Sequence, residues 1–593
     1  MLGLAGLDRK AMEEERLARL RAGSKRSGDD ISPPPDRATK IARLDHSKPH
    51  SALPAKLSYP DGKLCKTWAY GQERDGRDIK FEEVLERPTL KTAVFSAYTY
   101  DFDWFFRKID PQNTTYHFVV SSDEQHADLE SLHAPNVKAY KPKFGRLMHS
   151  KLIVLVHPTK LRVVIPSANL VDYDWGETGI MENTVWLIDL PRRPPETDMV
   201  STSFLDELKY FLEKQGLPQT VLAGLDKFDW SATRPYAFVH SVGGISYGTS
   251  AARTGLTGLS AAVRRLGLAS TQTQVDMCAS SVGALTEAKL NNLHAATRGD
   301  YSIPLSPSGR STVFPQPANV DVRSSFRLYF PTHEYVANSP NGGVNNGGTI
   351  WFNRTHFEKS TFPRSIFREF KSTRGHLLSH CKMLFVRGII DPASTPASGP
   401  TKLFRKKSDN SGAQQVAYVY AGSANCSDAA WGTLVAEKRA GPNKGQLHMT
   451  CNNWECGVLI PVIGPNVNNG NAEESNSAGR RLGGSKLDET NIITIEDEID
   501  GDGTASEDET ESEDESDGKA KTKNTKVQNA SPNTAKAKQG GKRIDPQLKD
   551  KHCVQFKVEL PGWDVFKSVV DGPFQYPATE YGPTQQPWYV RER

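Results

Sequence analysis

A ten-residue pattern occurs twice in this chain. It reads Ser167-Ala168-Asn169-Leu-Val-Asp172-Tyr-Asp-Trp175-Gly176 and, far downstream, Ser423-Ala424-Asn425-Cys-Ser-Asp428-Ala-Ala-Trp431-Gly432. Each copy follows a His-x-Lys that opens an apolar run: His149-Ser150-Lys151 leads into Leu-Ile-Val-Leu-Val, and His380-Cys381-Lys382 into Met-Leu-Phe-Val. A repeat with this matched internal order constrains the chain to two homologous halves, each bringing one His, one Lys and one Asn from strand ends to a shared site. Two imidazoles, two ammonium groups and two amides together describe phosphate chemistry.

A chain of 593 residues has room for two large domains plus tails. The formal net charge of +4 hides strong local segregation, so local charge is more informative than the total. No apolar stretch approaches the length that spans a bilayer, and the polar N-terminus has no signal-peptide core. The expectation is an intracellular, soluble protein without a membrane partner. Seven cysteines, at 65, 278, 381, 426, 451, 456 and 553, are odd in number and scattered, which is not a disulfide framework. Cys451 and Cys456, and the group His376, His380 and Cys381, raise the question of zinc. No second ligand pair has finger spacing, so the reading is reduced thiols and no metal.

Residues 1–60 are rich in charge, Ser and Pro and read as a disordered tail whose basic clusters resemble a split nuclear-import signal. Beyond them, apolar strands such as Thr92–Ser96, Lys151–Val156, Arg162–Pro166 and Val185–Leu190 alternate with helical patterns such as Phe204–Glu213 and Gly258–Leu266. The expected fold class is α/β: two similar α/β/α sandwich domains, 61–248 and 249–593, related by a pseudo-twofold axis and sharing one active site. An acidic and then lysine-rich block at 464–545 reads as a disordered insertion in the second domain.

Phosphodiester hydrolysis needs a nucleophile, charge stabilisation on the phosphoryl oxygens and a proton for the leaving oxygen. One imidazole can attack phosphorus while the other protonates the leaving group and then activates water. Lys151 and Lys382 supply the cationic clamp, and Asn169 and Asn425 add neutral donors, so no metal or other cofactor is required. Asp172, Asp428, Trp175 and Trp431 read as helix caps and core packing.

These motifs resemble the phospholipase D superfamily and, within it, the tyrosyl-DNA phosphodiesterases, which carry Asn after His-x-Lys where the superfamily carries Asp. The segments Tyr98 to Trp104, Ser280-Ser281-Val-Gly283, Glu455-Cys-Gly-Val-Leu and Pro573 to Trp588 extend the resemblance over about 60–590. It implies His149 as nucleophile, His380 as general acid and base, and Glu455 as the group orienting His149. The counterpart of Glu455 in the first half is Glu182 or Asn183 according to register, and the family's amide at that place favours Asn183. It further implies DNA contacts at Ser281, Phe144 and Tyr98, with Lys141, Lys143 and Arg146 forming a basic cluster around Phe144.

The implied function is a nuclear DNA-repair phosphodiesterase, acting as a monomer, that removes a tyrosine-linked topoisomerase I peptide from a DNA 3′ end and leaves a 3′-phosphate. Its implied partners are DNA, in single strands or at duplex ends, and that peptide. A phospholipase or general nuclease of the same superfamily is the alternative. Asn491-Ile492-Ile493-Thr494-Ile495 running into Glu496-Asp497-Glu498 resembles a SUMO-interacting motif, which adds a strand to its partner's sheet.

Overall fold

The apolar runs read from the sequence form the centres of two sheets. In the first half the principal strands are β1 Lys63–Thr67, β2 Thr92–Ser96, β3 Thr115–Val119, β4 Val137–Tyr140, β5 Leu152–Val156, β6 Lys160–Pro166 and β7 Thr184–Pro191. In the second they are β8 Ala237–Ser241, β9 Gln272–Cys278, β10 Phe326–Phe330, β11 Phe367–Glu369, β12 Lys382–Ile390, β13 Gln414–Gly422 and β14 Asn453–Ile463. This computed structural model describes residues 57–145, 147–318, 320–390, 413–464, 559–570 and 574–589. All of them belong to one compact unit, and a second unit, 469–556, lies outside the described residues, as do nearly all of the expected tail and insertion.

The first sheet runs β1-β7-β6-β5-β2-β3-β4, with Asp78–Ile79 added beside β1. The second runs β8-β14-β13-β12-β9-β10-β11. Adding seven to each label converts one order into the other. Directions match as well: β2, β3 and β4 pair in parallel, as do β9, β10 and β11, and the other neighbours along both paths are antiparallel. The two halves therefore share one topology, and the repeated motif is the sequence trace of that duplication.

Parallel strands need crossovers, and helices supply them on the sheet faces. Helix Phe102–Lys108 between β2 and β3 is capped by Asp101, and Asp123–Ser131 between β3 and β4 by Ser122. Helix Ser203–Lys214 starts where the Thr202 hydroxyl accepts the Leu205 N–H. Its apolar stripe, Phe204, Leu208, Phe211 and Leu212, packs in one cluster with Trp186 of the first sheet and Phe238 and Trp454 of the second. Separate clusters lie against the other face of the first sheet and throughout the second half.

The motif's last residue has a backbone reason to be glycine. Gly176 has φ +80°, and a Cβ there would lie 1.6 Å from the Trp68 carbonyl oxygen. Gly216 has φ +89° with nothing within 4 Å of the same construction. Gly216→Ala should therefore cost only the conformational penalty, about 1–3 kcal/mol, whereas Gly176→Ala must also displace the 68–69 backbone. Thermal melts of the two variants should show a clearly larger fall for Gly176→Ala.

Candidate active site

β5 and β6 are antiparallel neighbours, so the start of one and the end of the other meet at one sheet edge. His149 and Lys151 immediately precede β5, and Asn169 follows the end of β6. The same geometry at β12 and β13 presents His380, Lys382 and Asn425.

Two short parallel pairings, each crossing between the halves, bring the edges together. Leu147–Met148 pairs with Asn453–Trp454 at the start of β14, and Leu378–Ser379 pairs with Met181–Glu182 just before β7. The His149 N–H donates to the Trp454 carbonyl at 3.1 Å, and the His380 N–H donates to the Glu182 carbonyl at 3.3 Å.

Each histidine therefore meets a carboxylate from the opposite half. His149 Nδ1 lies 2.9 Å from Glu455 Oε2, and both side chains are only 1% exposed. The Ser423 hydroxyl donates to the same oxygen at 2.5 Å and Asn453 Nδ2 to Oε1 at 3.0 Å. Burial pushes the Glu455 carboxyl up to about 7, opposed by Lys151 and by these donors. With two other donors already converging on it, this carboxyl group fits an acceptor, which puts the proton of the pair on His149 Nδ1.

The other histidine departs from expectation. The Ser167 hydroxyl donates to Asn183 Oδ1 at 2.7 Å as Ser423 does to Glu455, so Asn183 is the register counterpart of Glu455. Its amide nitrogen, however, donates to the Asp174 carbonyl at 2.9 Å. The group beside His380 Nδ1 is the Asp174 carboxylate, 3.3 Å away and outside hydrogen-bond geometry, while its Oδ2 accepts the Asn169 N–H at 2.7 Å. Asn183 thus stands one layer behind the contact expected of it, because it supports the turn that delivers Asp174. Burial, reinforced by Lys382 and opposed by Asp174, pushes His380 down to about 3. Burial works against charge on Asp174 too, but His380, the Asn169 N–H and Lys382 outweigh it and hold the carboxyl below its ordinary value.

Both lysines are fully buried. Lys151 Nζ donates to the His149 carbonyl at 2.9 Å, and Lys382 Nζ donates to the His380 carbonyl. Asn425 Oδ1 accepts from the Ser281 N–H at 2.9 Å and the Ser280 hydroxyl at 3.3 Å, which leaves its amide hydrogens as the donor end. Ser281 thereby joins the site through its backbone. Tyr98 places its ring 5.7 Å from the His149 ring. Phe144 is 69% exposed at the rim, its carbonyl accepting from Trp454 Nε1. Trp351, absent from the sequence reading, pairs in register with Ser281 and is half-buried. Among the described residues no group of three or more His, Cys, Asp or Glu could hold a metal ion.

The duplicated sheet brings the His, Lys and Asn sets of both halves to one site, as the repeated motif implies. A model of the tyrosyl-DNA phosphodiesterase family matches residues 63–582, and the chain belongs to that family. Tyrosyl-DNA phosphodiesterase 1 of Arabidopsis thaliana is 26% identical over 159 residues, covering 25% of this chain and about a quarter (24%) of the plant protein. The crystal structure of yeast tyrosyl-DNA phosphodiesterase aligns with a TM-score of 0.46 at 16% identity, covering 68% of this chain and 90% of the yeast one. A single-residue variant of the yeast enzyme aligns with a TM-score of 0.47 at 18% identity over the same shares.

The depressed His380 gives a signed pH effect. Between pH 6.5 and about 3 the unfolded chain binds a proton at this residue that the native protein does not, so this contribution to stability is lost as pH falls through that window. Melting temperatures measured from pH 7 downward should fall less steeply in His380→Asn than in the parent protein. Equal slopes would show that His380 is not held neutral.

Proposed function

We infer that this chain hydrolyses the phosphodiester joining a DNA 3′ end to the tyrosine of a topoisomerase I-derived peptide, acts on DNA damage in the nucleus, and leaves a 3′-phosphate. The observation that carries this reading is the pair of cross-half contacts, His149 with Glu455 and His380 with Asp174, flanked by two fully buried lysines.

With Nδ1 donating to Glu455, the His149 lone pair lies on Nε2, the atom that attacks phosphorus. The P–O bond to tyrosine breaks as the P–N bond forms, and the departing oxygen takes its proton from His380. Neutral His380 then removes a proton from water, which attacks the phospho-histidine and releases the 3′-phosphate. Lys151, Lys382, Asn169 and Asn425 receive the phosphoryl oxygens, doing by charge and hydrogen bonding what metal ions do in other phosphodiesterases. His380 must be protonated to act, although burial and Lys382 hold it neutral. The entering phosphate supplies the negative charge that offsets Lys382, so protonation accompanies substrate binding.

DNA leaves the site past Phe144, whose exposed ring suits stacking on a base, and Ser281 and Tyr98 meet the phosphates next to the scissile one. The proposed SUMO-type contact at 491–498 lies outside the described residues.

Two measurements test the reading on labelled single-stranded DNA bearing a 3′-phosphotyrosine. Turnover should survive excess EDTA, and loss of activity restored by magnesium would refute the lysine clamp. His149→Ala should give no covalent adduct with any substrate. His380→Asn should lose on the order of 10²–10⁴-fold in rate and accumulate an acid-labile protein–DNA adduct on denaturing gels. An adduct with the His149 variant but not the His380 variant would reverse the two roles.

A further inference from the structure

At each crossing, the residue whose carbonyl holds the histidine N–H also reaches with its side chain into the segment leading to that histidine. On the His149 side this residue is Trp454, whose Nε1 donates to the Phe144 carbonyl at 2.6 Å. On the His380 side it is Glu182, the register equivalent of Trp454, since each precedes one of the matched pair Asn183 and Glu455.

Glu182 makes its contact through charge. Arg374 donates from Nε to Glu182 Oε2 at 2.7 Å, and its Nη2 lies 2.6 Å from the same oxygen. Arg374 Nη2 also donates to the Thr67 carbonyl at 2.8 Å. The Ser372 hydroxyl donates to Glu182 Oε1, while its oxygen accepts the Arg374 N–H at 2.9 Å. Arg374 belongs to the second half and both of its acceptors to the first. Between Ser372 and Leu377 the chain is otherwise mostly exposed, and this ion pair, with the Ser372 hydroxyl bond to Glu182, ties the His380 approach to the first half alongside the two-residue strand pairing. Burial pushes the Glu182 carboxyl up, with Arg374 opposing. A buried carboxylate deprived of its guanidinium is costly, so the two side chains act as a unit.

We propose that Glu182 and Arg374 are positioning residues for His380, fixing the depth and orientation from which it delivers its proton. The inference rests on the reading of His380 as proton donor. A misplacement of about 1 Å costs roughly a hundredfold when it falls on the reacting group. Here it falls on proton delivery, so the loss should depend on how much the leaving oxygen needs that proton.

The test compares full-length Arg374→Met and Glu182→Gln with His380→Asn on two substrates, 3′-phosphotyrosyl DNA and a 3′-p-nitrophenyl phosphate of the same oligonucleotide. Thermal melting confirms folding. Both clamp variants should lose roughly a hundredfold in the single-turnover rate of leaving-group release from the tyrosyl substrate and only a few-fold from the p-nitrophenyl substrate, a readout of the first step that excludes hydrolysis of the phospho-histidine common to both. Arg374→Lys, which keeps the charge, should recover part of the loss. Equal losses on both substrates, or none, overturn the proposal, and so does failure of both variants to fold. If only Arg374→Met fails to fold, Glu182→Gln decides alone. If His380→Asn itself treats the two substrates alike, the reading of His380 fails first and the clamp's role falls with it, an outcome distinguishable from failure of the clamp alone.

Discussion

Two parallel pairings of two residues each support the site. Leu147–Met148 against Asn453–Trp454 and Leu378–Ser379 against Met181–Glu182 cross from one half to the other, and they set where each histidine enters the site. Side chains alternate along a strand, so slipping either pairing by one residue would turn the facing residue away. The result is that neither half has a complete site. His149 takes its carboxylate, Glu455, from the second half, and His380 takes Asp174 from the first. Duplication of the sheet and exchange of these segments are therefore inseparable from function.

Charge balance follows from this arrangement. Lys151 and Lys382 bring two buried positive charges, set against the carboxyl groups of Asp174 and Glu455, while burial and Lys382 hold His380 uncharged. On the proposed reading a phosphodiester adds one negative charge, and one proton restores the balance. At about 4 Å and an effective dielectric of about 20, a unit charge is worth about 4 kcal/mol, or about three pKa units. That is enough to bring His380 from about 3 towards its ordinary value of 6.5. The proton needed by the leaving tyrosine then arrives with the substrate.

Much of this was legible in the sequence because duplication left two copies to compare. The strands around both His-x-Lys motifs, the helices near 204–213 and 258–266, and the convergence of the His, Lys and Asn sets follow from periodicity and repetition. The choice between Glu182 and Asn183 did not. Adjacent residues of a strand face opposite sides, and only the Ser167–Asn183 and Ser423–Glu455 contacts fix which one matches. Asp174 was missed although its signal was present, a charged residue where the second copy has Ala430. The expected cap at Asp428 is made instead by the preceding Ser427, whose hydroxyl accepts the Ala430 N–H, while Asp428 lies 2.6 Å from Lys289. Arg374 carries no local signature, since its partner lies far back in the chain and meets it only after the halves exchange strands.

The departures from symmetry are as informative as the symmetry. A strict copy would place a glutamate at 183 and an alanine at 174, giving both histidines the same environment. Instead Glu455 grips His149 Nδ1 at 2.9 Å and is itself held by two further donors, which suits a group whose tautomer must stay fixed while Nε2 attacks. Asp174 stands at 3.3 Å from His380 without hydrogen-bond geometry, beside an imidazole that burial and Lys382 keep neutral. That environment suits the role proposed for His380, which gains a proton, gives it up and takes another within one turnover. Two equivalent histidines would compete for attack and leave neither in the protonated form. On the proposed reading, the differences at 174 and 183 turn a symmetric scaffold into one with a single preferred direction of proton flow.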